Sequence, residues 1–110
     1  MKELNGEQIL IRIYLGESDK YEGKPSYQAI TELLRHEKIR GATVLRGILG
    51  YGAHSHPHTM NILRLSQDLP IIIEVVDSQE NIDRVMPQIH KMAPSGLVTA
   101  EKVNVLRYGE

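Results

Sequence analysis

Hydrophobic and polar residues alternate from Gln8 to Leu15. Ile9, Ile11, Ile13 and Leu15 fall on one face and Leu10, Arg12 and Tyr14 on the other, the period-two signature of a strand. A polar connection, Gly16 to Lys24, follows. Pro25 suits the first turn of a helix, where its missing N–H costs nothing. Tyr27, Ile30, Leu33 and Leu34 then recur at helical spacing, with Gly41 as the stop. A second strand is predicted over Ala42 to Leu49, a strand-like stretch over Ile62 to Leu65, and another strand over Ile71 to Val76, opened by Pro70. Asp77 with Glu80 three residues later matches a capping box. Ile82, Val85, Met86 and Ile89 form one helical stripe, in which Pro87 is expected to kink or restart the helix. Leu97 to Tyr108 reads as the last strand.

The order βαββαβ predicts an α+β domain, 1–110, of the ferredoxin-like class: an antiparallel sheet with two helices on one face. Two helices cover one side only. Yet Ile71-Ile72-Ile73-Glu74-Val75-Val76 is apolar on both sides, unlike a strand with one wet face. The uncovered face also carries Leu10, Tyr14 and Leu106, with Arg12 and Glu74 as candidate ion-pair partners. Another copy of the chain in a closed ring is the simplest cover.

Composition narrows the class. The chain has 110 residues, 41% of them hydrophobic, enough for one modest core. Phe, Trp and Cys are absent, so the core is built from Ile, Leu, Val and Met, and neither disulfides nor cysteine metal sites arise. The net charge of −1 argues against a dedicated nucleic-acid binder, which carries a basic excess. No apolar run approaches the length of a membrane span and the N-terminus lacks a signal-peptide pattern. A cytoplasmic protein is the expectation.

Candidate chemistry concentrates in Gly41 to His58. Here the second strand runs into Gly50-Tyr51-Gly52 and then into His54, His56 and His58. Glycines permit backbone angles that other residues avoid, and polar loops on a rigid sheet are where small domains keep binding chemistry. In an extended segment the three imidazoles share one edge and could hold Zn, Cu or Ni; the alternative is a solvated loop. Arg12, Arg46, Arg64 and Arg107 lie on strand-like segments and could grip a phosphate or carboxylate in bidentate fashion. The alternative for Arg12 and Arg46 is ion pairing with Glu7, Glu74 or Glu101. His36 and His90 fall on helices and are expected at the surface. There is no Gly-x-Ser-x-Gly, Walker A loop or cysteine nucleophile, so a binding protein is expected rather than an enzyme.

The runs GATVLRGILGYGAHS, LRLSQDLPIIIEVVD and GLVTAEKVNVLRYGE resemble the prokaryotic family known as domain of unknown function 190, whose members are regarded as PII-like. PII proteins are trimeric ferredoxin-like signal transducers. Gly41, Thr43 and Val44 resemble the PII GxTV, Gly50-Tyr51-Gly52 resembles its GFG at the root of the T-loop, and Val105 to Glu110 is similar to the PII ending, where an arginine reaches a nucleotide phosphate. The resemblance implies a homotrimer in which Thr43, Gly50, Tyr51, Gly52 and Arg107 line an inter-subunit cleft for a small anionic metabolite or an adenine nucleotide. It also implies that segment 51–61 is a mobile loop presented to a partner protein. The glycine- and lysine-rich phosphate loop of PII is reduced here to Pro94-Ser95-Gly96, with Lys91 as the nearest base. The tyrosine modified in enteric PII proteins is missing, so uridylylation does not carry over. Copper-tolerance proteins of the CutA type share the fold, which makes a divalent-metal-binding protein using His54, His56 and His58 the alternative reading. A structural adaptor without a ligand is the third.

Overall fold

The computed structural model describes residues 4–52 and 68–109. Strand β1 runs over Gly6–Gly16, a short hairpin pairs β2 (Lys20–Tyr21) with β3 (Lys24–Pro25), and helix α1 covers Ser26–His36. Strand β4 (Ala42–Arg46), strand β5 (Pro70–Asp77), helix α2 (Gln79–Met92) and strand β6 (Leu97–Val105) complete the chain. The sheet order is β4-β5-β1-β6, and every neighbouring pair is antiparallel. This is the ferredoxin-like arrangement that the order of elements predicts.

The alternation in β1 sets the layers. Ile11 and Ile13 are fully buried, with Ile9 and Leu15 close behind, and Ile71, Ile73 and Val75 join them from β5. Ile30 and Leu34 of α1 and Ile82, Val85 and Ile89 of α2 close the core from above. Each such side chain contributes roughly 2 kcal/mol relative to staying exposed. The helices sit over β1 and β5; Val44 of β4, which shares the helix-side face, is 39% exposed. On the opposite face Leu10, Tyr14, Ile72 and Val76 are half-buried with no layer above them among the described residues.

Four boundaries differ from expectation. Strand β4 ends at Arg46 rather than Leu49, because its partner begins at Pro70, which has no N–H to extend the ladder. The Gly47 amide makes the final bond, to Pro70 O at 2.7 Å. Strand β6 ends at Val105, opposite Gly6, and Leu106 to Gly109 turn out of the sheet. Pro87 neither ends nor restarts α2, which is unbroken from Gln79 to Met92. Pro87 is exposed, as is Asp83, whose carbonyl loses the bond that Pro87 cannot donate, and the buried stripe holds the helix on both sides of it. The helix cap is Ser78, not Asp77: Ser78 Oγ accepts from the Asn81 amide at 3.1 Å. Asp77 is wholly buried one residue earlier. The stretch Ile62 to Leu65 lies outside the described residues.

Inside the polar connection the sequence hides a hairpin. Glu22 and Gly23 both have positive φ, 49° and 84°, as a two-residue hairpin turn of the primed type requires. The Ser26 amide closes the connection on Asp19 O at 2.7 Å.

Candidate functional site

A cleft of about 570 Å³ opens at the C-terminal end of β1. Tyr14, Leu97, Pro70 and Tyr51 give it apolar and aromatic walls, Gly50, Gly52 and Gly96 give it exposed backbone, and Asp19 and Asp68 bring carboxylates. The strand ends create this geometry. Gly16 pairs with Pro70, and Tyr14 lies between Ile72 and Leu97 in the ladder. A Cβ on Gly47 would stand 2.7 Å from Pro70 Cγ, and one on Gly50 would stand 3.1 Å from it. Only glycine lets the chain leaving β4 pass so close to the proline ring. A Cβ on Gly96 would meet Tyr14 O at 3.0 Å, so the turn before β6 closes against β1 for the same reason.

The two carboxylates are fixed by backbone amides. Asp19 Oδ2 accepts from the Gly16 amide at 3.0 Å and Asp68 Oδ1 from the Ser18 amide at 3.1 Å. Beside them Glu17 pairs with Arg46. Aromatic walls with carboxylate acceptors suit a flat, N–H-donating ring; they repel phosphate. The cleft therefore suits an uncharged, N–H-donating ring better than an anion. Tyr14, Asp19, Asp68 and Leu97 were not legible as site residues. Beside Gly50 and Gly52, Gly16 and Gly96 flank strand ends that meet here.

The residues singled out in the sequence separate into two groups. Gly50, Tyr51 and Gly52 line the cleft. Arg107 lies beyond Val105, which pairs with Gly6 at the other end of β1, and β1 alone spans about 33 Å at strand rise. Thr43 belongs to neither end. It sits on the open face, in register with Glu74, and Glu74 with Arg12. The chain near Thr43 does meet the C-terminal segment, since Tyr108 Oη donates to Arg40 O at 2.9 Å. His54, His56 and His58, Arg64 and most of segment 51–61 lie outside the described residues. Among the described residues no group of three or more His, Cys, Asp or Glu could hold a metal ion. His36 and His90 are exposed on their helices.

The arginines divide as well. Arg12 bridges two carboxylates at the centre of the open face, Nε to Glu74 at 3.0 Å and Nη1 to Glu101 at 2.7 Å. Those hydrogen bonds, Glu74's first, push its guanidinium above the usual arginine range. Arg46 pairs with Glu17, and Arg84 bonds Glu37. Arg107 is exposed and has no ion-pair or hydrogen-bond partner among the described residues. Among the described residues, no helix is long and apolar enough to cross a membrane.

Comparison with known proteins bears on this geometry. A UPF0166 protein of Methanocaldococcus jannaschii is 42% identical over 99 residues, covering 89% of this chain and 91% of that one. A UPF0166 protein of Aquifex aeolicus is 36% identical over 97 residues, covering 88% and 91%. Among solved structures, the apo form of CPII, a nitrogen regulatory PII-like protein from Thiomonas intermedia K12, superposes with a TM-score of 0.63 at 16% identity over 94% of this chain and 97% of that one. CPII bound to ADP, AMP and bicarbonate gives 0.61 at 19% identity, over 99% and 98%. At such identities the likeness is one of fold. The family model of domain of unknown function 190, described as an uncharacterized ACR, matches residues 8–105.

Proposed function

The chain belongs to the domain of unknown function 190 family, and from that premise we propose that it is a PII-like regulatory protein of the cytoplasm. It assembles as a homotrimer, binds an adenine nucleotide between subunits and presents segment 51–61 to a partner protein. It signals by binding and catalyses no reaction.

One observation carries this reading. The cleft at Gly50 to Gly52 and Arg107, which is unpaired among the described residues, stand at opposite ends of one sheet. A single copy therefore holds two half-sites, and a ring of copies can bring the arginine of one to the cleft of the next. Support also comes from the half-buried apolar face with no cover among the described residues, and from PII-like neighbours of the same fold, one of them bound to ADP, AMP and bicarbonate. In this arrangement Tyr14, Tyr51 and Leu97 enclose the base, Asp19 and Asp68 accept from its exocyclic amine, and Arg107 of the adjoining copy takes the phosphates.

Calorimetric titration of ADP, AMP and ATP into the wild type and Arg107→Ala tests it. The expected result is saturable binding by the wild type and a loss of about 1.5–3 kcal/mol in the variant, the range for hydrogen bonds to charged groups. A wild type that binds none of the three nucleotides overturns the reading, as does a variant that binds like the wild type.

A further inference from the structure

The C-terminal segment leaves β6 after Val105 and folds across the end of the sheet, held at one residue. Tyr108 Oη donates to Arg40 O at 2.9 Å, and Tyr108 O accepts from the Leu4 amide at 3.0 Å. Side chain and main chain of one residue are thus tied to two different parts of the molecule. Gly41 is shaped for the contact: a Cβ there would stand 3.0 Å from Tyr108 Oη. The receiving end is itself rigid, because the Arg40 amide is held by the buried Asp77 carboxylate at 3.0 Å. Ahead of that anchor the strap is loose: Leu106 is 87% exposed and Arg107 is exposed without a partner among the described residues.

We propose that Tyr108 is a positioning residue for Arg107, fastening the strap to Arg40 and Gly41 so that the adjacent guanidinium meets the phosphates of the ligand already placed. This rests on the reading that Arg107 contacts an anionic ligand. A segment held by a single backbone bond and few packed side chains opens easily, and an arginine on a loose segment must be ordered at the moment of binding, which weakens affinity. The hydroxyl of Tyr108 removes that cost beforehand. It touches no ligand; it acts through its neighbour and through the start of β4.

The test is calorimetry with ADP and with adenosine on wild type, Tyr108→Phe, Gly41→Ala, Arg107→Ala and the double variant Tyr108→Phe/Arg107→Ala. Tyr108→Phe removes one hydrogen bond, and an ADP affinity lower by about fivefold is expected. Adenosine affinity should stay unchanged, because no phosphate engages Arg107. Gly41→Ala, which crowds the hydroxyl from the other side, should give the same pattern. In the Arg107→Ala background, Tyr108→Phe should cost nothing further, the signature of one residue acting through another. An equal loss in both backgrounds, or a loss for adenosine, would overturn the positioning role. So would wild-type ADP affinity in Tyr108→Phe, with Arg107 itself still required. If Arg107→Ala binds ADP normally, or the wild type does not bind it, the reading of the site fails and this role with it.

Discussion

The amide of Arg40 donates to Oδ2 of Asp77, thirty-seven residues along the chain, at 3.0 Å. The other carboxylate oxygen accepts from the Ser78 amide at 2.7 Å and from Asn81 Nδ2 at 2.8 Å. One buried carboxylate therefore joins the approach to β4, the end of β5 and the first turn of α2. Asp77→Ala leaves three donors without their acceptor, two of them backbone amides. Removal of a charged acceptor of this kind costs about 3 kcal/mol. Urea unfolding should show that loss, and Asp77→Asn, which keeps one carbonyl oxygen but turns an amine toward the Arg40 amide, should fall between the two.

Gly47→Ala should destabilise the protein by about 1–2 kcal/mol, the usual cost of overpacking, since its Cβ would meet the Pro70 ring at 2.7 Å. Gly52→Ala meets nothing within 4 Å and should stay within about 0.5 kcal/mol of the wild type. Thermal or urea unfolding of the two variants side by side checks the contrast.

Light scattering at micromolar concentration should give about three times the chain mass of 12.4 kDa, the value for the proposed PII-like ring, which is a closed cyclic assembly. Arg12→Ala leaves Glu74 and Glu101 facing each other across the centre of the open face without their shared cation. The variant should shift toward the monomer mass. A monomeric wild type would remove the ring and the shared site together.

The Glu32 carboxyl should titrate below the ordinary value of 4.5, because hydrogen bonds from Lys24 and then Gln28 favour its charged form. A depressed folded-state pKa contributes stability that is complete above the unfolded value and is lost as pH falls through the folded one. NMR titration of Glu32 in the wild type and in Lys24→Ala reads this directly. The value should rise in the variant, with a small effect on stability, since the pair is exposed.

What could be read from the sequence was whatever depends on the direction a side chain faces. Ile9 to Leu15 alternate, so β1 and its two faces followed from period alone, and the neighbours of the same pattern gave the ferredoxin-like order. Ends were harder, because each is decided by a partner far along the chain. Asp77 resembles a cap, but its carboxylate is claimed by Arg40, and Ser78 caps instead. Pro87 resembles a break, but Ile82, Val85 and Ile89 hold α2 from both sides. The Glu22-Gly23 turn was missed because glutamate seldom takes positive φ. Pairing of Arg12 and Arg46 with carboxylates was legible from opposite charges on strands, although Glu17 was not foreseen as the partner of Arg46. The cleft was legible only at Gly50 to Gly52. Asp19, Asp68 and Leu97 reach it through three separate strand ends, a coincidence no local pattern records.

The position of β1 between β5 and β6 has a consequence for how the chain comes off the ribosome. Its second partner, Leu97–Val105, is made after every other described strand. Until then one edge of β1 stands open, and its closing requires a long loop that takes in both helices, an entropic cost that slows folding of non-local topologies. The sheet is therefore complete only after β6 has been made. During that interval Ile9 to Leu15 is the stretch most in need of shielding from other nascent chains.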